Sequence, residues 1–284
     1  MFVGVGAALL AALFWALSAR WYERVGSRIG AVEINALKGL ISLVLFIPFL
    51  FASSAPWPSG NSAWAFVVSG VIGIAIGDSA WLACLRRIGP RRALNFEFFP
   101  PILTGLLALV WLSEALTLIN WLGMFVILSS VRFVMAHRLA DTQVVENEVG
   151  KGLLLGAIAA LCQTLGILLS AYGFTQGAGV LEATITRLAP ALVVLIPFLS
   201  FPQLYRRLKG FTLDHWSSLL MAITLGTTLA LWLQLISVNA IGATLSQTML
   251  SLSPLVALLV LRYRGWDVWL ATGFATLGVV LVLQ

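Results

Sequence analysis

Apolar residues run through the chain in ten long stretches separated by short polar breaks. The stretches lie at roughly 3–20, 31–52, 63–85, 92–112, 117–136, 151–173, 181–201, 215–237, 242–261 and 267–283. Each approaches the ~20 apolar residues that cross a hydrocarbon core at ~1.5 Å per residue. The pattern predicts an all-α integral membrane protein with ten transmembrane helices. Connections are short, which leaves no room for a soluble domain. The longest polar stretch, Asp141 to Glu148, reads as a linker between two halves. The expected division is therefore residues 1–140, a linker at 141–150, and residues 151–284. The first stretch lacks a basic flank and a small-residue cleavage site, so it reads as a retained helix and not a signal peptide.

Composition supports the membrane reading. Of 284 residues, 60% are hydrophobic and 10% are charged, and the mean hydropathy is +1.00. That is far more apolar than a soluble domain of this size. The net charge of +6 and a pI near 9.9 invite a nucleic-acid reading, but the charge forms no patch. Arg20, Arg24 and Arg28 lie at the first loop. Arg86, Arg87, Arg91 and Arg92 surround the third, and Arg132, Arg138 and Lys151 flank the fifth. Arg206, Arg207 and Lys209 fall in the seventh, Arg262 and Arg264 in the ninth. These are 15 of the 17 basic residues. By the positive-inside rule the odd loops are cytoplasmic and both termini lie outside. The expected location is the cell (inner) membrane, with the lipid bilayer as surroundings and no nucleic acid as partner.

The two halves repeat each other. A shift of 149 residues brings Glu33 onto Glu182, Lys38 onto Arg187, and Ile47-Pro48-Phe49 onto Ile196-Pro197-Phe198. A shift of 153 brings Gly73 onto Gly226, Ile88-Gly89 onto Ile241-Gly242, Pro101 onto Pro254, and Glu114 onto Asp267. Each repeat holds five helices, an odd number, so the second crosses the membrane in the opposite sense. The expected architecture is two inverted five-helix repeats, the arrangement of alternating-access carriers.

At this point the chain resembles the ten-helix EamA family of the drug/metabolite transporter superfamily. The segment from Ile88 to Val134 carries most of the likeness: Pro101 in the fourth helix, Glu114 at its end, and Gly123 in the fifth. Pro254, Asp267 and Gly278 form a looser second copy. The resemblance implies a basket of helices that moves small organic solutes, often outward. Members of the family commonly have cytoplasmic termini, whereas the loop charges here argue the reverse.

Charged and polar residues inside spans are costly and usually functional. Lys38 lies about 10 Å into the second helix at ~1.5 Å per residue. Asp78 in the third helix and Glu97 in the fourth reach a similar depth, so the three are expected in one layer. They read as a static ion pair, as a gate with a mobile proton, which would make protons the coupling ion, or, for Lys38 and Glu97, as side chains that snorkel to the interface. Asn95, two residues from Glu97, is expected to face away from it. Arg187 takes the repeat position of Lys38, toward the outside. It either pairs with Glu114 or Glu182 or is free to hold a cargo carboxylate or phosphate. Gln163, Gln234 and Gln247 add amides that bond across helices or touch a ligand. Trp15, Trp81 and Trp232 lie deep enough to pack or to line a cavity. Pro48, Pro101, Pro197 and Pro254 are expected to kink helices in matched pairs. Cys84 and Cys162 read as packing residues.

The only histidines, His137 and His215, lie in or beside loops, and no nucleophile or metal motif is present. No cofactor or metal is expected. A channel would need a repeated filter or a ring of like residues. An export carrier for small metabolites such as amino acids is the leading expectation. A multidrug or lipophilic-cation exporter is the alternative, and a membrane enzyme is the rival of another class.

Overall fold

A computed structural model describes residues 1–26, 29–138, 146–199, 201–260 and 265–284. Arg28, Arg262 and Arg264 lie outside these residues, as does most of the expected linker. The side chains of Arg20, Arg24, Arg91 and Arg138 are likewise outside the description. Among the described residues the chain is helical throughout, with no strand. Eight helical segments are long and apolar enough to cross a membrane. Two shorter apolar helices, Phe2–Ser18 and Trp266–Val282, stand at either end.

The first half holds α1 (Phe2–Gly26), α2 (Ala31–Ala52), α3 (Gly60–Ser69), α4 (Ser79–Ala93), α5 (Phe99–Trp111) and α6 (Leu118–Arg138). The second holds α7 (Glu146–Phe174), α8 (Val180–Leu195), α9 (Phe201–Lys209) and α10 (Leu213–Ile223). It continues through α11 (Ala230–Ile241), α12 (Ala243–Leu250), α13 (Ser253–Val260) and α14 (Trp266–Val282). Residues 146–150, expected in the linker, already belong to α7.

The third and eighth spans stay helical but change their winding at matched positions, and a glycine turn follows each. The third span widens into a π-helical stretch at Gly70–Asp78 between α3 and α4. The eighth does so at Thr224–Leu229 between α10 and α11. Gly89 (φ 73°, ψ 167°) and Gly242 (φ 80°, ψ 173°) then turn the chain with nearly the same angles. Only glycine occupies that region without strain. Pro101 opens α5 and Pro254 opens α13. A missing N–H is no loss in a first helical turn, so these prolines start helices where the sequence pattern suggested kinks. Pro48 does lie inside α2, and Pro197 sits in a short 3₁₀ turn after α8.

Packing interleaves the halves. Helix α1 lies against α10, α11, α12 and α13, while α7 lies against α3, the first π stretch, α4 and α5. Matched helices also meet each other: α2 packs on α8 and α6 on α14. The last crossing is backbone on backbone, since a Cβ on Gly123 would lie 2.7 Å from the Gly278 carbonyl oxygen. Such small-residue crossings let dispersion drive helix association where lipid removes the hydrophobic effect. The outward faces of α5, α6 and α14 carry exposed Val110, Leu122, Phe125 and Phe274, as lipid contact requires.

Gly242 combines the positive φ with a crowded site, where a Cβ would approach Glu114 Oε1 to 2.8 Å. Gly60 also has positive φ (53°), but its Cβ would meet open space. We expect Gly242→Ala to destabilise the detergent-solubilised protein by about 1–3 kcal/mol. Gly60→Ala should have the smaller effect on the melting temperature.

Candidate functional site

The π stretch at Gly70–Asp78 is the first element of the site. A π turn leaves backbone carbonyls off the normal helical ladder, and a buried carbonyl needs a donor. Asn35 of α2, fully buried, supplies one: its Nδ2 donates to the Ile74 carbonyl at 2.7 Å and to Ser79 Oγ at 2.9 Å. That fastens α2 to the widened turn. One helical turn further along α2, Lys38 Nζ meets Asp78 Oδ2 at 2.9 Å. The pair is unequal in burial, with 13% of the Lys38 side chain and 35% of the Asp78 side chain exposed.

Asp78 is the electrostatic centre of the polar layer. Its charge acts on Lys38, Tyr22, Glu97 and Arg187. Lys38 and Asp78 thus meet directly, and Glu97 lies within reach of the Asp78 charge. Arg187 joins them, although the sequence placed it toward the opposite side. Tyr22 Oη and Thr227 Oγ1, 3.2 Å apart, connect α1 to the second π stretch.

Glu97 ends a 3₁₀ turn, Leu94–Phe98, at the entry to α5. Its exposed side chain forms part of a narrow cleft with about 260 Å³ of empty volume, opening included. The wall combines Trp15, Glu97, Pro100 and Pro101 from the first half with Gln163, Gln247, Leu250 and Ser251 from the second. Asn95 points elsewhere, accepting from Arg132 Nη1 of α6 at 2.8 Å. Trp15 is oriented by its own hydrogen bond, Nε1 to the Gly226 carbonyl at 2.8 Å. Gly226 belongs to the second π stretch, so here too a polar side chain satisfies a carbonyl of a widened turn.

The cleft brings together four of the ten candidate residues: Trp15, Glu97, Gln163 and Gln247. Gln234 stands behind it, with Nε2 3.5 Å from Gln247 Oε1. Lys38 and Asp78 form the neighbouring ion pair. Trp81 packs instead with Cys84, Ile88 and Phe96, and Trp232 packs on Phe46 and Phe49. Arg187 is 3% exposed and off the cleft wall.

Arg187 has neither of its expected acidic partners. Glu114 instead accepts from the N–H groups of Ala243 (2.9 Å) and Thr244 (3.3 Å) and from Thr244 Oγ1 (3.0 Å). It caps α12, whose first N–H groups have no helical partner. Glu182 accepts from Ser53 Oγ at 2.5 Å.

Sequence reading missed this capping role of the acids. Glu33 accepts from the Gly30 N–H and from Arg207 Nη1, each at 2.6 Å. The signal was available as Gly-x-x-Glu at 30–33 and again at 179–182, a capping-box spacing. The second copy diverges, because the Gly179 N–H donates to the Pro56 carbonyl at 2.9 Å. Both sites join the halves, Arg207 reaching Glu33 and Ser53 reaching Glu182. Cys84 and Cys162 are free and buried, in keeping with packing roles.

Polar residues of membrane-length helices that converge on a cleft between two halves are in keeping with a membrane transport protein. The sequence agrees. The model of the EamA-like transporter family matches residues 2–136 and again residues 150–284, so the chain belongs to that family. It is similar to an uncharacterized inner membrane transporter, YicL, of Salmonella typhimurium strain LT2. Identity there is 28% over 130 residues, and the alignment spans 43% of each chain. It also shares its fold with a solved structure described as "Crystal structure of protein". The TM-score is 0.78 at 16% identity, covering 98% of this chain and 95% of the other. The family is one of transporters, and the relative is described as an inner membrane transporter.

The Lys38–Asp78 contact should be measurable as a coupling. We expect a double-mutant cycle of Lys38→Met and Asp78→Asn, read by thermal unfolding, to return about 1–2 kcal/mol. That is more than a surface pair gives and less than a fully buried one, because Asp78 is partly exposed.

Proposed function

We propose that the protein is a secondary-active exporter of small metabolites, amino acids among them, working by alternating access. One observation carries this reading: the cleft wall is divided equally between the two halves. A site built this way opens to one side or the other when the halves rock. The reading includes ten spans arranged as two inverted five-helix repeats, with the matched π stretches and glycine turns as its structural support. The room for solvent inside the cleft is about 20 Å³, far below the ~300–1,000 Å³ usual for ligand pockets, so this reading requires the cleft to widen before it takes cargo.

The chemistry of the wall suits a small solute with a polar end and an apolar part. Gln163 and Gln247 offer amide donors and acceptors. Trp15, Pro100, Pro101 and Leu250 offer apolar surface. Glu97 offers a carboxylate to an ammonium or a proton, which makes it the candidate coupling residue. We expect Glu97→Gln to reduce transport at least ~10-fold while leaving the melting temperature within 2 °C of wild type (about 0.5 kcal/mol). Unchanged rates and unchanged pH dependence in this variant would remove Glu97 from the mechanism.

Cells overexpressing the protein should tolerate toxic amino-acid analogues better than cells carrying an empty vector. A second reading has its own support, since a carboxylate beside an indole also suits an organic cation. If proteoliposomes move only lipophilic cations, that multidrug reading replaces the amino-acid one.

The loop charges place both termini outside the cytoplasm in this reading. A C-terminal alkaline phosphatase fusion is expected to be active and a C-terminal green fluorescent protein fusion dark. The reverse pattern would overturn the orientation.

A further inference from the structure

A guanidinium stays protonated at any physiological pH. Buried without an anion, it is one of the most costly groups a membrane protein can carry. Arg187 is in this position. It is 3% exposed, and its Nε and Nη1 have no hydrogen-bond partner. Of the two acids that could reach it by sequence, Glu114 is held on the start of α12 and Glu182 is bonded to Ser53 through Oε1 with Oε2 unpartnered, and among the described residues neither forms an ion pair with Arg187. Asp78, whose charge does act on it, is already held by Lys38 through Oδ2.

The surroundings of Arg187 are shaped to admit it. It lies where α8 crosses the first π stretch, and a Cβ on Gly70 would fall 2.0 Å from the Arg187 carbonyl oxygen. A Cβ on Gly73 would lie 3.4 Å from Nη2 and 3.8 Å from the carbonyl oxygen of Cys162. Cys162 immediately precedes Gln163, which lines the cleft. The guanidinium is therefore close behind the cleft wall, at a crossing of three elements from both halves. Lys38 and Asp78 compensate each other. Arg187 and Glu97 remain as one cation and one anion that, among the described residues, form no ion pair. That is the charge pattern a zwitterion complements.

We propose that Arg187 is an oxyanion-binding residue that receives the carboxylate of the cargo when the cleft widens. The inference rests on the transporter reading above and deepens it, because it assigns the group that distinguishes a carboxylate-bearing solute from a simple amine. A planar fork matches a carboxylate better than an ammonium does, so the preference should be lost even in a charge-conserving variant.

The test uses the purified full-length protein and acetate as the probe. Melting temperature is followed as sodium acetate replaces sodium chloride at constant ionic strength. Acetate is expected to raise the melting temperature of wild type in a saturable way. Arg187→Gln should abolish the response, and Arg187→Lys should move its half-saturation upward at least ~10-fold. If Arg187→Gln does not fold, the lysine variant carries the test. An absent response in wild type, or an equal one in the variants, overturns the proposal. So does a response that appears only in Asp78→Asn, which would make Asp78 the internal anion of Arg187. An Arg187-dependent acetate response without tolerance of amino-acid analogues would leave the anion site standing and remove the amino-acid reading. Tolerance that Arg187→Lys leaves untouched would remove the anion site alone.

Discussion

Lipid offers a backbone no hydrogen bonds, and three departures from regular helix here meet that constraint. A freed N–H or C=O inside the hydrocarbon region must find a partner within the protein. The first π stretch is matched by the Asn35 amide on the Ile74 carbonyl. The second is matched by the Trp15 indole on the Gly226 carbonyl. The start of α12 is matched by the Glu114 carboxylate. In two of these three cases the partner comes from the other half of the chain. Breaking a helix and joining the halves are thus one event, since the groups that repair the break are also the ties.

This economy explains how the polar layer is positioned. The Asn35 anchor fixes the register between α2 and the widened turn, and Lys38 then lies one turn from Asn35 on the same face. Asp78 ends the π stretch and faces it. A regular helix through 70–78 would rotate Asp78 relative to α2. The charge neighbourhood of Tyr22, Lys38, Glu97 and Arg187 therefore depends on a local winding defect. π turns are frequent at functional sites, and here the physical link is direct.

The ties between the halves differ in kind. Near the start of α2 an ion pair and a cap coincide on Glu33, which holds both Arg207 and the Gly30 N–H. Near the start of α8 a single hydroxyl holds Glu182, and one of its oxygens, Oε2, is buried without a partner. The ion pair is the more salt-sensitive contact, because 43% of the Arg207 side chain is exposed. The hydroxyl contact at Glu182, 1% exposed, is shielded from salt.

By itself the sequence determined the solvent, the helical class, most span limits and the pairing of positions between halves. Each depends on composition or on spacing along one chain, and α2 at Ala31–Ala52 falls on the expected limits. It also set Lys38 and Asp78 at depths that let them meet, since depth follows from counting residues along a helix. The partners were not legible. Glu114 at the end of its helix and Arg187 inside another are oppositely charged, and position along the chain alone would pair them. Their separation comes from Gly242, whose backbone angles present the first N–H groups of α12 to Glu114. Trp15, Trp81 and Trp232 likewise look alike in sequence. Only the rotation of each helix about its axis decides which one faces the cleft and which ones pack. Rotation and winding are set by contacts between distant segments, and the linear spacing of apolar residues does not encode them.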